Sequence, residues 1–550
     1  MKEERTECSS AGAVVVTSLL QETIQATEPF SSTSASNATS KDEFAIASLA
    51  CPDLLKLVNL DFVYVFDKPT NETNLNRLQE SLGQLLQHYP TLTGRIKGHQ
   101  IQLNNQGVTF YMQSSKNSIQ DVPNDPPAGP PYCVIPVPGE QIVGKAPLMT
   151  VTVTQFVDGW TLGVVMNHLI VDGWTFAMIM KDWSDLFNDK AIEPVFYKLP
   201  ESVVRTCSSQ EEANQLADTL AWKPSPWSKQ LLFKFVMKVL IPLFFQRDRR
   251  LGKEPNRLVL SYTDDEVKQI KENANANTKT WISTNEAVLA FIWQLMLDAA
   301  ELDVSQRECL GCVYPVNLRE KLPGISPRLA GNILTHATVI TDMSKRSCVH
   351  SNNEDSLEQQ LHNALRDSLK ADKLEASLRI QNHRWSDCNT DFVTQETKQL
   401  GDLAHCQYPG CMHWNWQVSN PYYEVDFGTG KPMRGVLWNW VQPVTVVPRA
   451  GGGLEIYIDK TSRGHVRWVA QVQRNKSPWP KVGNIMGGIA MVGSIVLTAL
   501  LEMSYFSGLL WILVFGCPGL GAWLYHSWQV KSATDRFFDH IVANAHQSLT

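Results

Sequence analysis

Between Val482 and Val530 the only acidic or basic side chain is Glu502, with His526 the one further titratable group of note. A run of this length with a single charge is hard to bury in an ordinary core. One transmembrane helix takes about 20 residues, so the run accommodates two, at about 483–501 and 506–528. The second holds Gly516-Cys517-Pro518-Gly519, which predicts a kinked or re-entrant span. Arg474, Lys476 and Lys481 precede the run, Lys531 and Arg536 follow it, and the Glu502–Gly508 connection has no basic residue. The positive-inside tendency puts both ends on the cytoplasmic side. Residues 482–530 are therefore expected to form a membrane hairpin, at the endoplasmic reticulum, with the rest of the protein in the cytoplasm. Gly483, Gly487, Ala490 and Ser494 suit close contact between its helices. The alternative is a buried helical hairpin of a soluble domain.

The remainder reads as globular. The chain has 550 residues, 43% hydrophobic and 19% charged, enough for two domains with extensions. A net charge of -6, with no Lys/Arg stripe interleaved with aromatics, argues against nucleic acid as a partner. The 11 cysteines are scattered. Cys309 and Cys312 form a CxxC in an apolar run with no second pair at ligand spacing, so free thiols and no metal are expected. Met1-Lys-Glu-Glu-Arg-Thr-Glu is too acidic for a transit peptide, and no secretory signal core follows it.

Two strand–helix series organise the chain. In the first, Leu57–Phe66 reads as a strand. Leu75, Leu78, Leu82, Leu85 and Leu86 predict a helix over 74–88 that stops before Pro90. Met149–Asn167 reads as two strands joined at Asp158-Gly159, and Trp174–Phe187 as a helix. The second series opens near Arg257. Ser283 and Glu286 stand at capping-box spacing before the helix Ala287–Leu297, and strands follow at 311–316, 334–340 and 454–459. The expected division is an N-terminal segment, partly flexible, over 1–41; a first domain over 42–207; and a crossover over 208–256. A second domain over 257–475, the hairpin and a cytoplasmic tail over 531–550 complete it. Within the crossover, Leu231–Phe245 with Lys234 and Lys238 suits either an interfacial membrane segment or a helix packed between domains.

His168 ends the apolar run Leu162–Asn167 and is followed by Asp172-Gly173. A histidine at a strand terminus projects into a cleft from a fixed backbone. With an unperturbed pKa of about 6.5, its neutral ring can accept a proton from an alcohol or amine. Asp172, four residues on, is placed to fold back and hold the loop, and Gly173 permits a close turn. Spacing alone does not decide this, since His383-Arg-Trp-Ser-Asp387 has the same spacing without an apolar approach or a following glycine. That copy reads as a solvated helix or loop.

Several ordered motifs add specificity. His168-Leu-Ile-Val-Asp172-Gly173 resembles the HxxxDG signature of the BAHD acyltransferase superfamily. Leu92-Thr-Gly-Arg95-Ile96, Ser283–Trp293, Asn317-Leu-Arg319 with Gly331-Asn332, and Asp426-Phe427-Gly428-Thr429-Gly430-Lys431-Pro432 are similar to further family segments, together spanning most of 45–470. The resemblance implies an α/β (α+β) fold: two similar chloramphenicol-acetyltransferase-like domains around a central tunnel. It implies acyl-CoA as co-substrate, a small-molecule acceptor, no permanently bound cofactor, no metal, and a monomer. His168 would be the general base. Arg319 would pair with Asp172 or Asp426, while Asp426, Gly428 and Gly430 would shape the domain interface and CoA channel. Trp416 would lie near the acyl carbonyl, where its indole N–H can stabilise an oxyanion; the alternative for it is core packing. Thr429 departs from the family's usual tryptophan and alters packing on the CoA side, and the hydrophobic C-terminal hairpin is a second departure. No GxSxG elbow supplies a covalent route. The expected activity is acylation of a lipophilic hydroxyl (or amine) compound: a fatty alcohol, sterol, terpenoid or carotenoid. Acylation of a soluble phenolic alcohol or amine is an alternative, and a non-catalytic accessory to a lipid-modifying enzyme is another.

Overall fold

The computed structural model describes residues 16–27, 43–45, 59–97, 100–198, 200, 205, 207–219, 257–276, 278–299, 309–319, 321–342, 356–386, 412–416, 424–437, 444–460, 532–533 and 535–545. Most of the crossover, Leu231–Phe245 included, and the apolar run 482–530 lie outside the described residues. Among the described residues no helix is long and apolar enough to cross a membrane.

In chain order the first strands are β1 (Val16–Ile24), β2 (Glu43–Ala45), β3 (Asn59–Phe66), β4 (Arg95–Lys97), β5 (Gln100–Gln102), β6 (Val108–Ser115), β7 (Met149–Gln155) and β8 (Trp160–Asn167). The later ones are β9 (Arg257–Tyr262), β10 (Cys309–Asn317), β11 (Leu334–Asp342), β12 (Met412–Trp416), β13 (Arg434–Leu437), β14 (Val444–Pro448) and β15 (Leu454–Asp459). They build one mixed sheet in the order β1-β6-β7-β8-β3-β13, a second in the order β11-β10-β12-β14-β15-β9, and a small sheet β2-β5-β4.

Strands β3 and β8 are buried at every position. That explains their near-continuous apolar sequence, since both faces are covered. The turn at Asp158-Gly159 joins β7 to β8 as an antiparallel hairpin. The Asp158 carboxylate accepts from Ser118 Oγ and Ile119 N, both at 2.6 Å. The helix predicted over 74–88 runs from Glu72 to His88 and buries the five leucines. It starts two residues earlier because Asn71 caps it, accepting from Asn74 N at 2.8 Å. In the second domain, Ser283 N donates to Glu286 Oε2 at 2.6 Å and Glu286 N to Ser283 Oγ at 3.3 Å. This is the capping box read from the sequence, and it opens the helix Thr284–Ala299.

Two expectations of domain membership change. The strand after the Asp426–Pro432 loop, β13, crosses to the first sheet and pairs with β3, Arg434 opposite Val65 and Leu437 opposite Phe62. Phe427 follows it into the first core, edge-on to Trp183 at 5.2 Å and Phe187 at 5.6 Å. The expected tail over 531–550 is not wholly a tail. Residues 535–544 are helical, and Phe537, Phe538, Ile541 and Ala545 lie in the second domain's core with Tyr262, Trp293 and Ile456. Their helical spacing is short, and Asp535, Arg536, Asp539 and His540 lie between, so no long apolar period marks it.

The loop that carries Phe427 requires glycine at 428. Its φ is +86°, and a Cβ there would sit 2.7 Å from Asn74 Nδ2. Gly428→Ala should therefore destabilise the protein by about 1–3 kcal/mol, measured by denaturant unfolding. Unchanged stability would show that the loop is free to relax.

Candidate active site

His168 leaves the end of β8, which is paired on both sides. β7 flanks one edge and β3 the other, with Asn167 opposite Asn59. The chain then turns sharply. Leu169 N donates to Asn167 Oδ1 at 3.0 Å, and Ile170 N donates to the Asn167 carbonyl at 3.1 Å. A second support comes from the other domain: the buried Asn332 donates through Nδ2 to the carbonyls of His168, at 2.5 Å, and Leu169, at 3.0 Å. The backbone bearing the imidazole is thus fixed from both halves of the chain.

His168 keeps partial exposure. Its Nδ1 is buried and meets no partner of hydrogen-bonding geometry among the described residues. Burial pushes the imidazole below its ordinary pKa, opposed in part by its own backbone, the Asp172 charge, the Val171 backbone and the Asn332 side chain. The net direction favours the neutral ring near neutral pH, the form that accepts a proton.

Asp172 turns into the protein. It is the N-cap of the helix Gly173–Phe187, where Oδ1 accepts from Thr175 N at 2.8 Å. Oδ2 accepts from Arg319 Nη1 at 2.8 Å and from Ile333 N at 3.0 Å. The pair is buried, with side-chain exposures of 1% for Arg319 and 3% for Asp172. Arg319 completes its donor set with Nε to the Leu329 carbonyl at 2.8 Å, Nη1 to Asn317 Oδ1 at 3.1 Å, and Nη2 to Thr175 Oγ1 at 2.8 Å and the Gly331 carbonyl at 3.0 Å. Of the two partners expected for Arg319, the structure gives Asp172. Both carboxylate oxygens are thus engaged within the protein, tying Asp172 to its own helix and to the second domain. Gly173 is the first residue of the helix rather than a separate turn.

Asp426 lies at the other end of that helix. Its Oδ1 accepts from Gly428 N at 2.9 Å and Gly430 N at 3.0 Å, and its carbonyl from Asn188 Nδ2 at 2.8 Å. Its own N–H donates to Ser184 Oγ at 2.8 Å. At 1.5 Å per residue, Ser184 is roughly 18 Å along the helix from Asp172. Asp426, Gly428 and Gly430 therefore shape the loop and do not join His168. Thr429, at the position that departs from the family pattern, accepts from Trp160 Nε1 at 3.0 Å. Trp160 is stacked on Phe66 at 4.3 Å. Trp416 ends β12 with its backbone opposite Val446, and its indole falls outside the described side chains. His383 lies in the helix Ala371–Ser386, and Asp387 is outside the described residues. Among the described residues no three His, Cys, Asp or Glu side chains gather as a metal site.

Two residues of this site have no role in the sequence reading. Thr175 is the position whose N–H an N-cap at Asp172 satisfies, so the capping rule can find it. Asn332 stands in the Gly331-Asn332 pattern, but its tie to His168 spans the domains, and nothing local signals it.

The sequence profile of the Transferase family matches residues 31–459. The chain belongs to the BAHD acyltransferase family. It is accordingly an acyltransferase. Vinorine synthase superposes with a TM-score of 0.52 at 18% identity, over 81% of this chain and 94% of that one. TRI101 of F. graminearum, crystallised with coenzyme A and T-2 mycotoxin, gives 0.53 at 13% identity, over 74% and 93%. At these identities the likeness is one of fold, and it matches the mixed α/β architecture described above. No curated protein matches the sequence.

Removing the charge of Asp172 leaves Arg319 buried without compensation. Asp172→Asn should cost about 3–5 kcal/mol, seen as a lower melting temperature together with lost turnover. Loss of turnover at an unchanged melting temperature would assign Asp172 to the chemistry instead. The direction of the His168 shift gives a second test. As pH falls, kcat/KM should hold through 6.5, the ordinary imidazole value, and decline only below it. An acid limb at or above that value would mean a solvated ring.

Proposed function

We propose that this acyltransferase moves an acyl group from a coenzyme A thioester to the hydroxyl, or amine, of a lipophilic acceptor. The observation that carries the reading is His168 itself. It is held from both domains at a strand end, is favoured in its neutral form, and has its neighbouring carboxylate committed to Arg319. Such a ring takes the acceptor proton as the acceptor oxygen attacks the thioester carbonyl. The new C–O bond gives a tetrahedral intermediate. Its collapse breaks the C–S bond, and the imidazolium returns the proton to the departing sulfur, giving ester and CoA-SH. Holding the reactants beside a fixed base supplies proximity as well as proton transfer. Trp416 is our candidate for stabilising the oxyanion.

The acceptor class rests on the apolar run 482–530, whose one charged residue is Glu502. A protein anchored through it, with its catalytic domains on the cytoplasmic side of the endoplasmic reticulum, meets alcohols dissolved in the bilayer: fatty alcohols, sterols, terpenoids or carotenoids. The test incubates membranes carrying the full chain with radiolabelled acyl-CoA and each alcohol class, scoring labelled ester and free thiol. Ester should form with the bilayer-dissolved alcohols, and formation only with water-soluble phenolics or amines would overturn the acceptor class. His168→Ala should lower turnover by about 10²–10⁴-fold without lowering the melting temperature, while His383→Ala leaves turnover intact. Near-normal turnover in folded His168→Ala protein would remove the general-base role.

A further inference from the structure

Two buried polar atoms beside the base meet no hydrogen-bond partner among the described residues: Nδ1 of His168 and Oδ1 of Asn332. They belong to neighbouring residues, since Asn332 Nδ2 donates to the His168 carbonyl at 2.5 Å and to the Leu169 carbonyl at 3.0 Å. Carbonyls only accept, so the end of the amide that faces them is the NH2, and the orientation of Asn332 is decided. Its oxygen is then enclosed with its lone pairs unused, in a residue of 0% exposure. The backbone of Asn332 is held on both sides. Gly331 before it donates to Thr175 Oγ1 at 3.2 Å, and its carbonyl accepts from Thr175 Oγ1 at 2.9 Å and Arg319 Nη2 at 3.0 Å. Ile333 after it donates to Asp172 Oδ2 at 3.0 Å. The amide oxygen is therefore brought to the base by a clamped segment of the second domain.

A neutral imidazole carries one proton, and the hydrogen bond made by one nitrogen decides the state of the other. With Nδ1 buried, Nε2 is the nitrogen left for the reactants, and it accepts a proton only when Nδ1 already holds one. We propose that Asn332 is a positioning residue: its Oδ1 accepts the Nδ1 proton of His168 and so fixes the tautomer whose Nε2 lone pair is free. The proposal rests on the general-base reading of His168 given above. The contact closes as the ring turns about its Cβ–Cγ bond, and it satisfies both buried atoms at once, an N–H donor with an amide oxygen. Asp172, the charged group that acts on the ring, is itself engaged with Thr175, Arg319 and Ile333. When the acceptor compound gives up its proton to Nε2, the imidazolium keeps Nδ1–H on the amide oxygen, now as a stronger, charge-assisted donor. The Asn332 side chain already acts on the ring in that direction, favouring its protonated form. The base of the first domain is thereby set by a side chain of the second.

A double-mutant cycle in the full-length enzyme separates this contact from the base itself. Asn332→Ala alone should lower kcat by about 10–100-fold, as does removing other groups that hold the second nitrogen of a functional histidine, with KM for acyl-CoA unchanged. In a His168→Ala background the same change should lower the residual rate no further, because the ring it orients is gone. An equal loss in both backgrounds would mean that Asn332 holds only the backbone, and would overturn the contact while leaving the base in place. Near-normal turnover of His168→Ala would remove the base, and the contact with it. The acid limb of kcat/KM gives a reading that a purely structural role would not move. Asn332→Ala should carry it to lower pH, because an acceptor that favours the protonated ring is lost. Asn332→Asp should carry it to higher pH, because a carboxylate favours that form more strongly. Acid limbs that coincide with that of the wild type would overturn the contact. A last measurement needs no change at position 332. In wild-type enzyme labelled with 15N-histidine, the His168 signals, identified by their loss in His168→Ala, should place the proton of the neutral ring on Nδ1. A neutral ring protonated at Nε2 would overturn the proposal.

Discussion

The buried pair of Asp172 and Arg319 is the contact on which the site depends. A guanidinium in a dry interior is tolerated only when every donor is used and a charge of opposite sign stands beside it. Arg319 meets both conditions through Asp172, Asn317, Thr175, Leu329 and Gly331. These partners come from the helix Gly173–Phe187 of the first domain and from the segment 317–333 of the second. The same segment delivers Asn332 to the His168 carbonyl. One ion pair thus ties the two domains beside His168, and the same segment holds the backbone that carries the imidazole. Lysine would not serve at position 319, because a point-like ammonium lacks the planar fork that reaches five acceptors.

A second pair repeats the arrangement further along the same helix. Arg328 Nη2 donates to Asp182 Oδ2 at 2.6 Å, and Tyr89 Oη donates to the same oxygen at 2.6 Å. Burial and the neighbouring carboxylate hold the Tyr89 hydroxyl well above its usual pKa, so it stays a donor. These contacts and the docking of Phe427 explain why the chain interleaves its domains instead of stringing them. Strand β13 can complete the first sheet because the loop before it is already pinned to Ser184 and Asn188.

What the sequence made legible was local. The leucines of 75–86 recur at helical spacing, Asp158-Gly159 marks its hairpin, and Ser283 with Glu286 forms the box their spacing announces. His168 stands out because an apolar strand ends on it. The contacts that were illegible join residues far apart in the chain: Asn332 to His168, β13 to β3, and Phe537 and Ile541 to the core around Trp293. Period and capping carry no information about which distant surface an element will meet. The ordered motifs supplied some of it, naming Asp172 as one of two partners for Arg319. The terminal helix escapes notice for a further reason. Its apolar positions are few, and the far longer apolar run just before it dominates any hydropathy reading.

The helix Gly173–Phe187 is gripped by the second domain at two points, through Arg319 at Asp172 and Arg328 at Asp182. A hinge that parted the domains would have to break charge-assisted bonds at two points of one rod, exposing two guanidinium groups together. The two pairs therefore resist opening, as a vise does and a jaw does not. Parting the domains around His168 would leave Arg319 and Arg328 without their carboxylates, so a compound reaches the imidazole at least cost with both pairs intact.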